Sequence, residues 1–377
     1  MHIIPGSVKL LNMSDEEYFG DGLPGHLSNS RMGLINPAEG GSPSRYSTGF
    51  DKKTDSLMLG SAVHQLVLEG EYYRLADVDV PSDAVRKIIN TVHGLTTRNE
   101  NPLSFNDAVN LAVQLHNYYK GKPSAKILET MVSKSASYYE FLCKNHDDPT
   151  LIYLAPDMKI KCVNAVKAVT DSVKAHSLLN PSKSLEYANE DVESFNEHVL
   201  VCKILYNGKV EKLKAKLDNF TINHTRKVVT LNDLKTSSYS VSNFFGNMGL
   251  ELVNLALVPR LFKGSFQKYH YYRQMYMYLE MLKGYIASIY GEHHGYEFEC
   301  NMIVTETFGY KPSADVFSVE SEWLDLGKTE FNHLLELIQE LSGESSELDK
   351  LEFEPDDFAN VDNDPDSDLD DLFDLED

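Results

Sequence analysis

Cysteine is scarce in this chain. Its 377 residues hold four, Cys143, Cys162, Cys202 and Cys300, with no CxxC pair among them. That spacing excludes a disulfide framework, a zinc ribbon and a clustered iron–sulfur site, and it points to a reducing cytoplasm. No run of about 18 apolar residues occurs, so no membrane-spanning helix is expected. Met1-His2-Ile3-Ile4-Pro5 lacks a charged region followed by an apolar one, so no secretory signal is expected either. Basic residues are outnumbered, 35 against 57 acidic. A broad basic coat for nucleic acid is therefore excluded, and any such ligand must enter a local basic groove. Hydrophobic residues, at 42%, suffice for a real core. The length suits one large domain or two ordinary ones.

The acidic excess is uneven. Glu344 to Asp377 hold 16 acidic residues and one lysine, a net of −15, whereas the rest holds 34 basic and 41 acidic, a net of −7. Composition divides the chain into an irregular N-terminal segment over 1–55, a folded body over 56–343 and a disordered acidic tail over 344–377. Gly, Pro, Ser and Asn mark the first segment, as in Gly40-Gly41-Ser42-Pro43. Within the body, Leu57–Glu69, Phe105–Tyr119, Ala125–Leu142 and Asp157–Leu179 carry apolar residues at helical spacing. The stretch from about 82 to 180 reads as a helical insertion. Val199–Tyr206, Glu211–Ile222 and Lys227–Lys235 read as strands, the first closed by the turn dipeptide Asn207-Gly208. Tyr269–Tyr290 returns to helix, Glu297–Thr305 and Ala314–Val319 to strand, and Trp323–Leu341 to helix. This order predicts an α/β fold with a small mixed central sheet flanked by helices.

The chemistry concentrates in two of these strands. Lys216-Leu217-Asp218 lies in one, and Leu231-Asn232-Asp233-Leu234-Lys235-Thr236 in the next. Alternation puts Asp233 and Lys235 on one face. A hairpin turning around Asn223–Lys227 sets Asp218 opposite Asp233. Two aspartates are hard oxygen ligands suited to Mg²⁺ or Mn²⁺, and a nearby lysine can position or deprotonate a water or stabilise phosphorane charge. An exposed Asp–Lys pair would show the same spacing, so spacing alone leaves both readings open. Three further features bear on the choice. His64 sits on an otherwise apolar helix and is either a core residue or a nitrogen ligand. Gln274 and Tyr278, four apart, share a face of an aromatic-rich helix. Glu193 and Glu197 stand just before the first strand, and either could add a carboxylate ligand.

Together these residues resemble the PD-(D/E)XK nuclease superfamily, and within it the phage and prophage exonucleases of the exonuclease VIII (RecE) type. Leu27-Ser28-Asn29-Ser30 with Ser42-Pro43-Ser44-Arg45-Tyr46 looks like that family's opening. Leu59-Gly60-Ser61-Ala62-Val63-His64 through Glu69 looks like its G-x-A-x-H-x-L-x-L-E segment. Lys214–Asp218 and Asp233-Leu234-Lys235-Thr236 look like its two catalytic motifs, and Tyr272, Gln274 and Tyr278 like its Q-x-x-x-Y helix. The resemblance covers about residues 27 to 342. Leu217 departs from it, standing where many members carry proline, and Gly249–Lys263 looks like an insertion.

The resemblance implies a restriction-endonuclease-like core and a metal-dependent exodeoxyribonuclease. It would digest linear double-stranded DNA from 5′ ends and leave 3′ strands for a single-strand annealing or single-stranded-DNA-binding protein. It implies that His64, Asp218, Asp233 and the Leu234 carbonyl hold the metal, that Lys235 acts on the water, and that Gln274 and Tyr278 support the site. It also implies a homo-oligomeric ring, whose inner channel would draw on Arg31, Arg45, Lys214, Lys216, Lys263, Lys268 and Arg273, with Thr236 beside the DNA. Two alternatives stand: a structure-specific endonuclease of the same fold, and a non-catalytic binder of DNA ends or partners. In the acidic tail Leu369, Leu372 and Phe373 fall at i, i+3 and i+4, which suits a short partner-binding helix; a solubilising tail, or one that mimics DNA, would share the composition.

Overall fold

The computed structural model describes residues 1–49, 54–98, 101–117, 125–145, 148–253 and 256–348. The N-terminal segment holds β1 (Lys9–Leu11), α1 (Asp15–Phe19), β2 (His26–Leu27), α2 (Asn29–Gly33) and α3 (Pro43–Thr48). There follow α4 (Asp55–Leu68), β3 (Arg74–Leu75), α5 (Asp83–Thr97), α6 (Phe105–Leu115), α7 (Ala125–Lys144), β4 (Leu151–Ile152), α8 (Pro156–Asp171) and α9 (Val173–Leu179). The long strands are β5 (Val192–Tyr206), β6 (Lys209–Asn223) and β7 (Val228–Ser237). A hairpin of β8 (Gly246–Val253) and β9 (Ala256–Lys263) precedes α10 (Ser265–Lys268) and α11 (Tyr271–Tyr290), and the chain continues through β10 (Glu297–Glu306), β11 (Ala314–Ser318) and α12 (Ser321–Leu348).

The main sheet has seven strands in the order β1-β5-β6-β7-β10-β11, with β2 added to β6. It is mixed: β7 pairs β10 in parallel, and β5–β6–β7 form an antiparallel meander. The β5–β6 turn falls on Asn207-Gly208, with φ of 48° and 76°, the two positive angles that a tight hairpin turn requires. Helices α11 and α12 cover one face, above Leu213, Phe220, Leu231 and Met302. Helices α4, α8 and α9 cover the other, against Leu234, Ile303 and Val316. The fold is thus α/β with a mixed central sheet between helices. Helices α5, α6 and α7 gather round a separate small core of Ile88, Val92, Val109 and Val113.

Several boundaries differ from expectation. The N-terminal segment is part of the sheet, since β1 lies on β5 and β2 on β6. Strand β5 begins at Val192, not Val199, so Glu193 and Glu197 lie inside it; its first half pairs through polar residues, which hydrophobic alternation does not reveal. The helix expected over Asp157–Leu179 divides at Ser172, whose hydroxyl accepts from the Ala175 N–H and starts α9. The segment Gly249–Lys263, which looks like an insertion, lies in the β8–β9 hairpin, a sheet of its own. Helix α12 runs on to Leu348, past the expected start of a disordered tail. The remainder of that tail, with Leu372 and Phe373, lies outside the described residues. No described helix is long and apolar enough to cross a membrane.

Helix α12 meets α11 closely at Gly327, where a Cβ would stand 2.3 Å from the Tyr272 carbonyl oxygen. Gly327→Ala is expected to push the two helices apart and lower unfolding stability by about 1–3 kcal/mol, read from the urea midpoint. A variant as stable as the parent would show that the approach is not tight in solution.

Candidate functional site

The site forms where the β5–β6–β7 meander loses regularity. Leu213, Ala215 and Leu217 of β6 feed the core beneath α11, and so do Phe220 and Ile222. The inward face therefore switches from odd to even positions between Leu217 and Phe220. Strand β5 switches likewise between Phe195 and Leu200. Cross-strand pairing holds at Asn196↔Asn219 and His198↔Leu217 and lapses between them, at Glu197 and Asp218. Glu197 has φ of 55°, a left-handed conformation that an ordinary residue holds only when its surroundings enforce it. The paired irregularity frees both carboxylates from the ladder.

Strands β6 and β7 separate at the same level. Their pairing ends at Asn219↔Asn232, and the next partners would be Asp218 and Asp233. Instead the Asp218 side chain takes over: its Oδ2 accepts from the Leu234 N–H at 2.7 Å. Asp233 is 1% exposed, and Gln274 Nε2 donates to its Oδ1 at 2.7 Å. Lys235 Nζ lies 2.5 Å from Asp233 Oδ2 and 4.0 Å from Asp218 Oδ2. The ammonium and that buried oxygen form a close ion pair. Nζ also reaches the Leu234 carbonyl at 3.4 Å and lies 5.3 Å from the Tyr271 ring centre.

Helix α4 brings the imidazole. Thr54 caps it, accepting from the Leu57 N–H, and Leu59, Ala62 and Val63 bury its inner side. Gly60 and His64 are one turn apart on one face. A Cβ at Gly60 would stand 3.3 Å from Thr236 Oγ1, so the missing side chain lets α4 settle on β7 with His64 over the split strands. His64 Nδ1 is 3.6 Å from Asp218 Oδ2. One atom each of His64, Glu197 and Asp218 lie within 4.8 Å of one another.

Burial sets the proton affinities here. It pushes the Asp233 carboxyl up to about 6, against the pull of the Lys235 ammonium. It raises Asp218 despite Lys235, and it raises Glu197 to about 7 with help from Asp218. It lowers His64 to about 4, reinforced by Lys235, so the imidazole is neutral at neutral pH and keeps a lone pair. Burial also opposes the charge on Lys235, but Asp233 and Asp218 outweigh it and hold that lysine above its ordinary value. A neutral imidazole and crowded carboxylates short of positive charge could hold a metal ion.

The fold thus brings together His64, Glu197, Asp218, Asp233, Leu234, Lys235 and Gln274. Tyr278 is buried one turn beyond Gln274 on α11, and burial holds its hydroxyl well above the ordinary value. Glu193 points elsewhere, exposed and 3.6 Å from His224. Arg273 is no DNA contact: it is 1% exposed and bound to Asn29, Glu39 and Glu330. Lys216 is held by Glu197 and Asp15. Thr236 is half-buried against Gly60. Lys214 donates to the Tyr18 carbonyl at 2.6 Å, Arg45 to that of Gly40, and Arg31 stacks on Tyr46. Lys263 is exposed, and Lys268 lies over the Tyr269 ring.

Sequence reasoning missed a row of amides, of which Asn219, Asn232 and Asn301 are buried. Asn219 donates to Asn196 at 2.7 Å, Asn232 to Asn219 at 2.8 Å and Asn301 to Asn232 at 3.2 Å, and Ser318 joins at 3.3 Å. Asn196 also donates to the Leu68 carbonyl at the end of α4. The available signal was adjacency: Asn196-Glu197, Asp218-Asn219 and Asn232-Asp233 each couple an amide to an acid of the site.

No family model matches the chain, and no curated protein matches it. Among solved structures, it is similar to a candidate exonuclease from Eubacterium rectale, at 10% identity and a TM-score of 0.30, over 78% of this chain and 88% of that one. A likeness of that degree carries no argument about activity.

Proposed function

We propose that this protein is a divalent-metal-dependent deoxyribonuclease of the PD-(D/E)XK kind, acting as an exonuclease on linear double-stranded DNA. The observation that carries the reading is the convergence of His64, Glu197 and Asp218 beside the Asp233–Lys235 pair, where two paired strands separate. The sequence resemblance supports the finer points: entry at DNA ends, 5′ to 3′ polarity, a ring of subunits and a single-strand annealing partner.

His64, Glu197, Asp218 and the Leu234 carbonyl would hold the ion. A Mg²⁺ or Mn²⁺ bound there supplies Lewis acidity toward a phosphoryl oxygen. The protein's own residues do the rest. Lys235 stays an ammonium, since both aspartates stabilise its charge; it orients water by donation and offsets charge gathering on the phosphate oxygens, rather than abstracting a proton. Asp233 fixes the ammonium, and Gln274 fixes Asp233. Tyr278, buried one turn further along α11, fills the space behind Gln274.

Incubating linear duplex DNA, labelled internally or at its 5′ end, with Mg²⁺, Mn²⁺ or EDTA tests this reading. Metal-dependent release of label from linear DNA, with closed circular plasmid left intact, is the expected result. Cutting of the circle would replace the exonuclease with an endonuclease on the same site. No cleavage with either metal, despite DNA binding, would overturn hydrolysis altogether.

A further inference from the structure

Lys216 stands two residues before Asp218 on β6, and the fold turns it inward. Its side chain is 17% exposed, and its ammonium contacts Glu197 Oε2 on one side and Asp15 Oδ1 on the other. Glu197 is shared, because the same carboxylate groups with His64 and Asp218. Asp15 is delivered by the first turn of α1, whose start is fixed by the reciprocal Ser14–Glu17 capping box. Burial works against the lysine's charge, yet Glu197 and Asp15 hold it above its ordinary value.

Sites that hydrolyse phosphodiesters with two metal ions place them roughly 3.5–4 Å apart, with carboxylates shared between them. Here the position on the far side of the shared Glu197 is filled by an ammonium. The surroundings agree with that reading: Asp15, Glu69 and Glu197 surround the Lys216 ammonium, while Asp218 and Asp233 face Lys235. The same device occurs in a second cluster found among the described residues, Glu39, His270 and Glu330, where the Arg273 guanidinium lies 2.6 Å from each carboxylate.

We propose that Lys216 is a built-in cation in the place of a second metal ion, restricting the site to one divalent ion per chain. The proposal rests on the metal-dependent reading above and goes beyond it, since that reading leaves the number of ions open.

The test is Mn²⁺ binding to the full chain, with free ion counted by its electron paramagnetic resonance signal. The parent protein should take up one Mn²⁺ per chain at saturation. Lys216→Met, which keeps the packed stem and removes the charge, should take up two. Lys216→Arg should return the count to one, and Lys216→Met combined with Asp15→Asn should lose the extra ion. Two ions in the parent, or one in Lys216→Met, would overturn the proposal; should Lys216→Met fail to fold, Lys216→Gln removes the charge in its place and carries the same expectation. Absence of any bound ion in the parent would defeat the metal reading itself, an outcome distinct from a count of two.

Discussion

Asp218→Asn is expected to slow digestion of linear duplex DNA by about 10³-fold or more in Mg²⁺. The substitution is a narrow one. An asparagine carbonyl can still accept from the Leu234 N–H, the bond that closes the gap between β6 and β7, so the strands keep their places. What disappears is charge, at the point where His64, Glu197 and Lys235 converge. Lys235→Ala should produce a loss of similar size by another route, leaving the ion-holding carboxylates in place and removing the ammonium. The two variants part in a second measurement. Mn²⁺ should raise the melting temperature of Lys235→Ala as it does the parent's, because binding to the folded state alone stabilises it, and should leave Asp218→Asn unmoved. Single-turnover rates together with melting curves check the pair. An Asp218→Asn protein that digests DNA at the parent rate would remove this carboxylate from the chemistry.

Arg273→Met should lower unfolding stability by about 3–5 kcal/mol, the usual loss when one partner of a buried ion pair is removed. The guanidinium lies under α11, where it donates to Asn29 at 2.8 Å and to Glu39 and Glu330 at 2.6 Å. Glu330 is further bound by His270, itself at φ of 52°, and by Asn36. One residue thus ties the N-terminal segment, α11 and α12 together. Methionine fills much of the volume and leaves two carboxylates facing each other without a cation. The denaturant midpoint should fall accordingly. The dependence of DNA binding on salt should keep its slope, because no phosphate contact is lost. A shallower slope at unchanged stability would restore Arg273 to the DNA surface.

The sequence made the strands of the meander legible because turn chemistry and a β-rich run agree there: Asn207-Gly208 permits one kind of turn, and residues 199–206 lead into it as an almost wholly apolar stretch. The opposition of Asp218 and Asp233 followed from hairpin length alone, and the pairing at Asn219↔Asn232 puts them where counting does. Glu197 was harder. Its position depends on a backbone angle that no pattern announces. Arg273 misled because a cation on an aromatic helix looks the same whether it meets solvent or two buried acids. Lys216 misled similarly, its partner Asp15 lying 201 positions away in the chain. What local pattern records is alternation and turn type; what it leaves out is which distant charges a strand will meet.

The row of amides behind the site has a consequence for assembly. Each carboxamide is matched to one on the neighbouring strand, from Asn196 through Asn219 and Asn232 to Asn301. A slip of one residue in any of these strands turns every side chain to the opposite face. It would set an amide against an apolar surface and an aliphatic side chain against an amide, with no cheap repair. The acids that flank these amides are therefore gathered only in chains whose four strands have all paired correctly. A mis-paired copy carries a scattered set of acids and has no such cluster.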